Sequence, residues 1–224
     1  MNLAADLLTE LLEQRSTSSR GRYFYLQDGN KLAHTLGYKE LAIHAKGVAI
    51  ELQKSASIGS RALLLYPPGL DVLPALFGCL YAGVVAVPVP PPDGVRLKRT
   101  LPRLQTVVAD AEPEVILTTT ALWIQLADQL SEALPNVRWL LTDTVDQTGT
   151  QTWLQPDISP GNVAYLQYTS GSTSTPRGVM LSHENVLQNL AHLKRGFGSD
   201  SSSVFVTWMP YYHDYGLDYQ CPYD

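Results

Sequence analysis

Apolar positions along this chain fall alternately at helical and at strand spacing. Leu3, Leu7, Leu8, Leu11 and Leu12 share one stripe over Met1 to Gln14, with Asp6, Glu10 and Glu13 between them, which predicts an amphipathic first helix. Tyr23-Phe24-Tyr25-Leu26 reads as a short strand, and Gln27 to Asn30 as a turn carrying the Asp-Gly hairpin signal. From Gly37-Tyr38-Lys39-Glu40-Leu41 a helix begins, with Leu41, Ala45, Val48 and Leu52 on one face, and the apolar strand Arg61 to Tyr66 follows it. Leu97, Leu101, Leu104 and Val108 form a helix face that ends before the strand Val115-Ile116-Leu117-Thr118. A helix over 121–134 and a strand from Val137 to Thr142 complete the alternation. Strands that alternate with helices of this length imply an α/β fold, a mostly parallel sheet with helices on both faces.

Val72 to Pro92 runs twenty-one residues without a charge, enough by count for a membrane span. Its punctuation excludes that reading. Asp71 is placed to cap a helix over 72–82, Pro74 lies in its first turn, Gly83 stops it, and Val84-Val85-Ala86-Val87 then reads as a buried strand. Pro88, Pro90, Pro91 and Pro92 would break any spanning helix. Acidic residues every few positions also deny the first helix the character of a secretory or mitochondrial leader. Thr144 to Ser159, closed by Pro156 and Pro160, reads as a surface connection, and Ser199 to Ser203 as a polar linker between the last two strands. No internal repeat is visible.

Composition narrows the classes. The 224 residues are 45% hydrophobic and 17% charged, which is a chain that folds around a core. Net charge is −5 and no block of five like charges occurs, which argues against a nucleic-acid surface or a basic membrane arm. Arg96, Lys98, Arg99 and Arg103 gather on one helix and read as a solvated face. Cys79 and Cys221 have neither disulfide-framework nor zinc-ligand spacing, and a reducing cytoplasm fits them.

The chemistry concentrates in Tyr165 to Gly178. An apolar strand delivers the chain into a loop with a hydroxyl or a glycine at every position from Thr169 through Ser170, Gly171, Ser172 and Thr173 to Ser174, with Thr175 adding one more hydroxyl. Glycine lets backbone approach an anion, hydroxyls and N–H groups donate to phosphate oxygens, and Arg177 supplies a permanent charge. Composition alone leaves an ordinary polar turn open beside phosphate binding. The Walker spacing fails, since Gly171 is followed seven positions later by Gly178 with Arg177 before it. Neither GxGxxG nor the GxSxG elbow occurs in this loop, so nucleotide binding by those routes and serine hydrolysis lose support.

Tyr168 to Gly178 followed by Val179-Met180-Leu181-Ser182-His183 resembles the phosphate-binding signature of the adenylate-forming (AMP-binding) superfamily. Three further segments stand in that superfamily's order: Thr35 to Leu41, Leu80 to Pro88, and Trp208-Met209-Pro210-Tyr211-Tyr212-His213-Asp214-Tyr215-Gly216-Leu217. Gln167 to Thr173, the run Pro88 to Pro92 and the Tyr-His-Asp-x-Gly-Leu form look most like fatty acyl-AMP ligases. Ser174 stands where glycine is usual and Arg177 where lysine is usual; a donor and a charge are kept.

The resemblance implies that residues 1–224 form the N-terminal portion of an adenylation domain, an incomplete adenylate-forming fold. It implies ATP and Mg2+ as cofactors, with Thr169 to Thr175, Arg177 and Gly178 on the phosphates. Arg177 and His213 are the implied catalytic residues, and Tyr212, His213 and Trp208 the implied substrate pocket. Histidine beside aspartate reads by itself as structural; the resemblance places His213 at the acyl end, for positioning and gating. Metal ligands are not identifiable. The implied reaction is activation of a fatty acid to acyl-AMP for transfer to an acyl-carrier protein, with fatty acid–CoA ligation or a non-catalytic binding remnant as alternatives. Asp218 to Asp224 is polar where the family continues with apolar structure, so a fragment, inactive without the remainder of a ligase, is expected. Ser182 is expected to cap the helix carrying Val186, Leu187, Leu190 and Leu193.

Overall fold

The structure, a computed structural model, describes residues 5–17, 21–169, 176–200, 202–213 and 216. The chain begins with helix α1 (Leu8–Ser16) and an antiparallel hairpin, β1 (Arg22–Gln27) and β2 (Lys31–Gly37). At its tip Asp28 and Gly29 both have positive φ, +53° and +75°, the conformation for which Asp-Gly is suited. Then follow α2 (Tyr38–Gln53), β3 (Arg61–Leu65), α3 (Val72–Ala82), β4 (Val85–Val89), α4 (Leu97–Ala111), β5 (Val115–Thr118), α5 (Thr120–Ala133) and β6 (Arg138–Leu141). The last elements are β7 (Val163–Thr169), β8 (Arg177–Ser182) and α6 (His183–Phe197).

The second sheet has the order β6-β5-β3-β4-β7-β8, parallel throughout except for the antiparallel β7–β8 edge. Its central strands β3, β4 and β5 are apolar apart from Arg61 and Thr118 at their ends, because both faces are covered. Ala62, Leu64 and Ala86 face a core shared with α1, α2, α3 and α6, whereas Leu63, Leu65, Val87 and Val89 face α4 and α5. Helices therefore cover both sides, as the alternation predicts. No helix among the described residues is long and apolar enough to cross a membrane.

Some local expectations change. Asp71 holds the N-cap position of α3, but its backbone is helical and its side chain makes no capping bond. Gly83 does end that helix, at φ +70°, where a Cβ would be strained. The connection 144–159 is pinned by side-chain bonds: Trp153 Nε1 donates to the Tyr81 carbonyl at 2.8 Å with its ring edge-on to Tyr81 at 5.2 Å, and Gln53 Nε2 donates to the Leu154 carbonyl at 2.6 Å. The linker Ser199–Ser203 does not separate two strands. Helix α6 precedes it, and residues 203–208 after it join no strand ladder among the described residues. Ser182 caps α6 as expected: its Oγ accepts from Asn185 N–H at 3.1 Å, and Asn185 Oδ1 accepts from Ser182 N–H at 3.2 Å.

Candidate functional site

In an open parallel sheet, ligands bind beyond the carboxyl ends of the strands, where successive connections leave for opposite faces. Here the chain leaves β3 for α3 on one face and leaves β4 for α4 on the other. That divergence opens a crevice between the ends of β3 and β4, and Tyr211 fills it. The buried phenol accepts from Tyr66 N–H at 2.9 Å and donates to the Val89 carbonyl at 2.9 Å, so one side chain joins the ends of both strands. Burial pushes this phenol well above its ordinary range, so it stays protonated and able to donate.

Tyr211 also fixes its neighbours. Tyr212 is half-buried, with its ring edge-on to Tyr211 at 5.2 Å. Its carbonyl accepts from Gln167 Nε2 at 2.7 Å, which draws this segment onto β7. His213 N–H donates to the Pro210 carbonyl at 3.0 Å, closing a tight turn that leaves the imidazole exposed. Trp208 is 88% exposed and lines a groove of about 500 Å3 with Phe197, Val204, Val206 and Met209, whose lining includes neither Tyr212 nor His213.

Strand β7 also leads to the segment expected to bind phosphate. Thr169 ends β7 and pairs in antiparallel register with Arg177, the first residue of β8. Both side chains are exposed at the rim. Ser170, Gly171, Ser172, Thr173, Ser174 and Thr175 lie outside the described residues. Thr169 and Arg177 thus hold the two ends of that loop together. Tyr212 and His213 are brought toward the same strand by Gln167, whereas Trp208 sits in its own groove.

Gly178 has a packing reason for its size. It pairs with Tyr168, and a Cβ there would stand 3.0 Å from Tyr168 Cζ. The ring cannot retreat freely, because its hydroxyl donates to Asp110 Oδ2 on α4. Burial pushes the Tyr168 phenol up, the bond to Asp110 pushes it further, and Arg61 opposes both, so Tyr168 is neutral and structural. Sequence reasoning missed the roles of Tyr211 and Gln167. Gln167 carried a signal, as a lone amide in an otherwise apolar strand interior; Tyr211 carried none that separates it from Tyr212.

Among the described residues no three His, Cys, Asp or Glu side chains gather as a metal site.

Comparison with known proteins agrees with this architecture. Residues 13–223 match the family described as AMP-binding enzyme. The medium-chain-fatty-acid–[acyl-carrier-protein] ligase JamA of Moorena producens is 49% identical over 215 residues, covering 94% of this chain and 36% of the relative. The long-chain-fatty-acid–AMP ligase FadD23 of Mycobacterium tuberculosis is 35% identical over 202 residues, covering 86% and 34%. Among solved structures, a fatty acyl-adenylate ligase from L. pneumophila in complex with acyl adenylate and pyrophosphate superposes with a TM-score of 0.84 at 31% identity, over 97% of this chain and 38% of that one. The chain spans about a third of the length of the relatives it matches. A doubly covered parallel sheet, a hydroxyl-rich β7–β8 connection at its carboxyl edge and a family match over nearly the whole chain lead to one assignment: this chain belongs to the AMP-binding enzyme family.

Proposed function

We propose that residues 1–224 form the N-terminal portion of an adenylation domain that activates a fatty acid with ATP, and that the acyl group then passes to an acyl-carrier protein. The observation that supports this reading is the meeting of two segments at one rim. The β7–β8 ends hold Thr169 and Arg177, and the bond from Gln167 to the Tyr212 carbonyl brings the His213 turn to the same strand. In the proposed reaction a carboxylate oxygen attacks the α-phosphorus of ATP, the α–β phosphoanhydride bond breaks, and acyl-AMP and pyrophosphate form. Arg177 and the donors from Thr169 to Thr175 would hold the phosphates in line and take up charge on departing pyrophosphate, while His213 and Tyr212 flank the acyl carboxylate. Mg2+ is expected to accompany the ATP phosphates. Cys79, free and fully buried, accords with the reducing cytoplasm included in the proposal.

The test is fatty-acid-dependent ATP–pyrophosphate exchange in a polypeptide joining residues 1–224 to the remaining length of the Moorena relative, followed by a comparison of carrier-protein and CoA acceptors. Exchange with fatty acids is expected, with the carrier protein as the better acceptor. Arg177→Ala should lower the maximal rate by roughly thirty- to several hundred-fold, the loss of about 2–4 kcal/mol of charge stabilisation, and Arg177→Lys should recover most of it. Absence of exchange with every acid tried, in a folded protein, would defeat the proposal.

A further inference from the structure

Strand β7 is buried along most of its length, and its neighbours Ala164, Tyr165 and Leu166 are apolar or aromatic. Gln167 interrupts that pattern at 4% exposure. A primary amide there is costly, because each unmet polar atom in the interior forfeits its water bonds. Only one end of this amide is met: Nε2 donates to the Tyr212 carbonyl at 2.7 Å, and Oε1 has no partner among the described residues. An apolar side chain of equal volume would fill the space without that loss, so packing does not account for glutamine at this position.

What the amide does achieve is geometric. Thr169, which opens the loop, lies two residues along the strand from Gln167, and His213 is the residue next to Tyr212. Tyr211 already holds the same segment to the ends of β3 and β4. Together the two side chains fix the turn from two sides, Tyr211 from the strands of the crevice and Gln167 from β7. We infer that Gln167 is a positioning residue, whose amide sets the His213 turn against the end of β7 at which Thr169 pairs with Arg177. The meaning of that placement for acyl activation rests on the function proposed above; the positioning itself does not.

Two volume-matched variants test it in the whole chain. Gln167→Met keeps the size and removes the donor, and Gln167→Glu keeps the shape and, when ionised, presents only acceptors to the Tyr212 carbonyl. The five histidines give distinguishable imidazole resonances in a 13C-labelled sample, with His213 assigned by its loss in His213→Asn. Both Gln167 variants should shift or broaden the His213 resonance and leave those of His34, His44 and His192 in place. Amide exchange over 211–213 should quicken about tenfold, the expected consequence of losing one hydrogen bond from a locally opening segment. An unchanged His213 resonance with unchanged exchange would overturn the inference, as would a uniform change of all the histidines together with a fall in Tm. In the joined polypeptide, Gln167→Met should raise the fatty-acid KM and lower kcat while the ATP KM stays within about twofold. Loss of all exchange activity in the parent polypeptide would sink the proposed function and leave the His213 resonance to decide the positioning role separately.

Discussion

His183, the first residue of α6, is 2% exposed, and its Nδ1 accepts from Leu8 N–H of α1 at 3.2 Å. An accepting Nδ1 is unprotonated, so the ring is neutral with its hydrogen on Nε2. It thereby satisfies one of the first N–H groups of α1, which the intrahelical ladder leaves unmet. Burial pushes the imidazole down to about 4, against a smaller upward pull from Glu10. An unfolded chain binds this proton near 6.5, so between about 6.5 and 4 the unfolded state carries more protons than the folded one. The stabilisation is complete above that window and is lost as pH falls through it, by up to about 3 kcal/mol. Urea unfolding at a series of pH values should show the loss, and His183→Asn, which keeps an acceptor and cannot titrate, should remove this part of the slope. Equal slopes in the two proteins would contradict the assignment. Sequence made Ser182 legible because its cap is local, four residues long and built from side chains suited to it. His183 was illegible because its partner lies 175 residues away.

Strands and helices differ in how much of their reason lies within themselves. The parallel strands β3, β4 and β5 were readable because two covered faces demand an unbroken apolar run. Strand β2 was not: five of its seven residues are exposed, and its pairing with β1 is set by the turn at Asp28 and Gly29. The β7–β8 edge is a third case, in which glycine served two readings. The resemblance implies a phosphate role for Gly178; its observed neighbour is the hydroxyl end of the Tyr168 ring, held by Asp110. Gly178→Ala should therefore strain the pair and displace Arg177 with the strand, at a cost of about 1–3 kcal/mol. The same substitution in a Tyr168→Leu background should cost far less. Thermal unfolding of the four proteins of that cycle gives the coupling directly, and no coupling would mean that Tyr168 is not what excludes a side chain at 178.

For the whole molecule, the decisive surface is the stretch after α6. Val204, Val206 and Trp208 are 84%, 82% and 88% exposed and, with Phe197 at 58%, border the groove of about 500 Å3. Monomers rarely leave so many large apolar side chains together in water. The opposing force is electrostatic, since a net charge of −5 repels copies of the chain from one another. Salt shortens that repulsion to about 8 Å at physiological ionic strength and leaves apolar attraction in place. The chain is therefore expected to self-associate with rising concentration, and more strongly as salt is raised. Val206→Lys should suppress the association with little change in unfolding midpoint, because the position contributes almost no burial to the folded chain. Sedimentation velocity over a range of concentration and salt measures both dependences. Association that weakens with salt would identify ion pairs as its source, and a concentration-independent monomer at every salt would mean that the groove is not sticky.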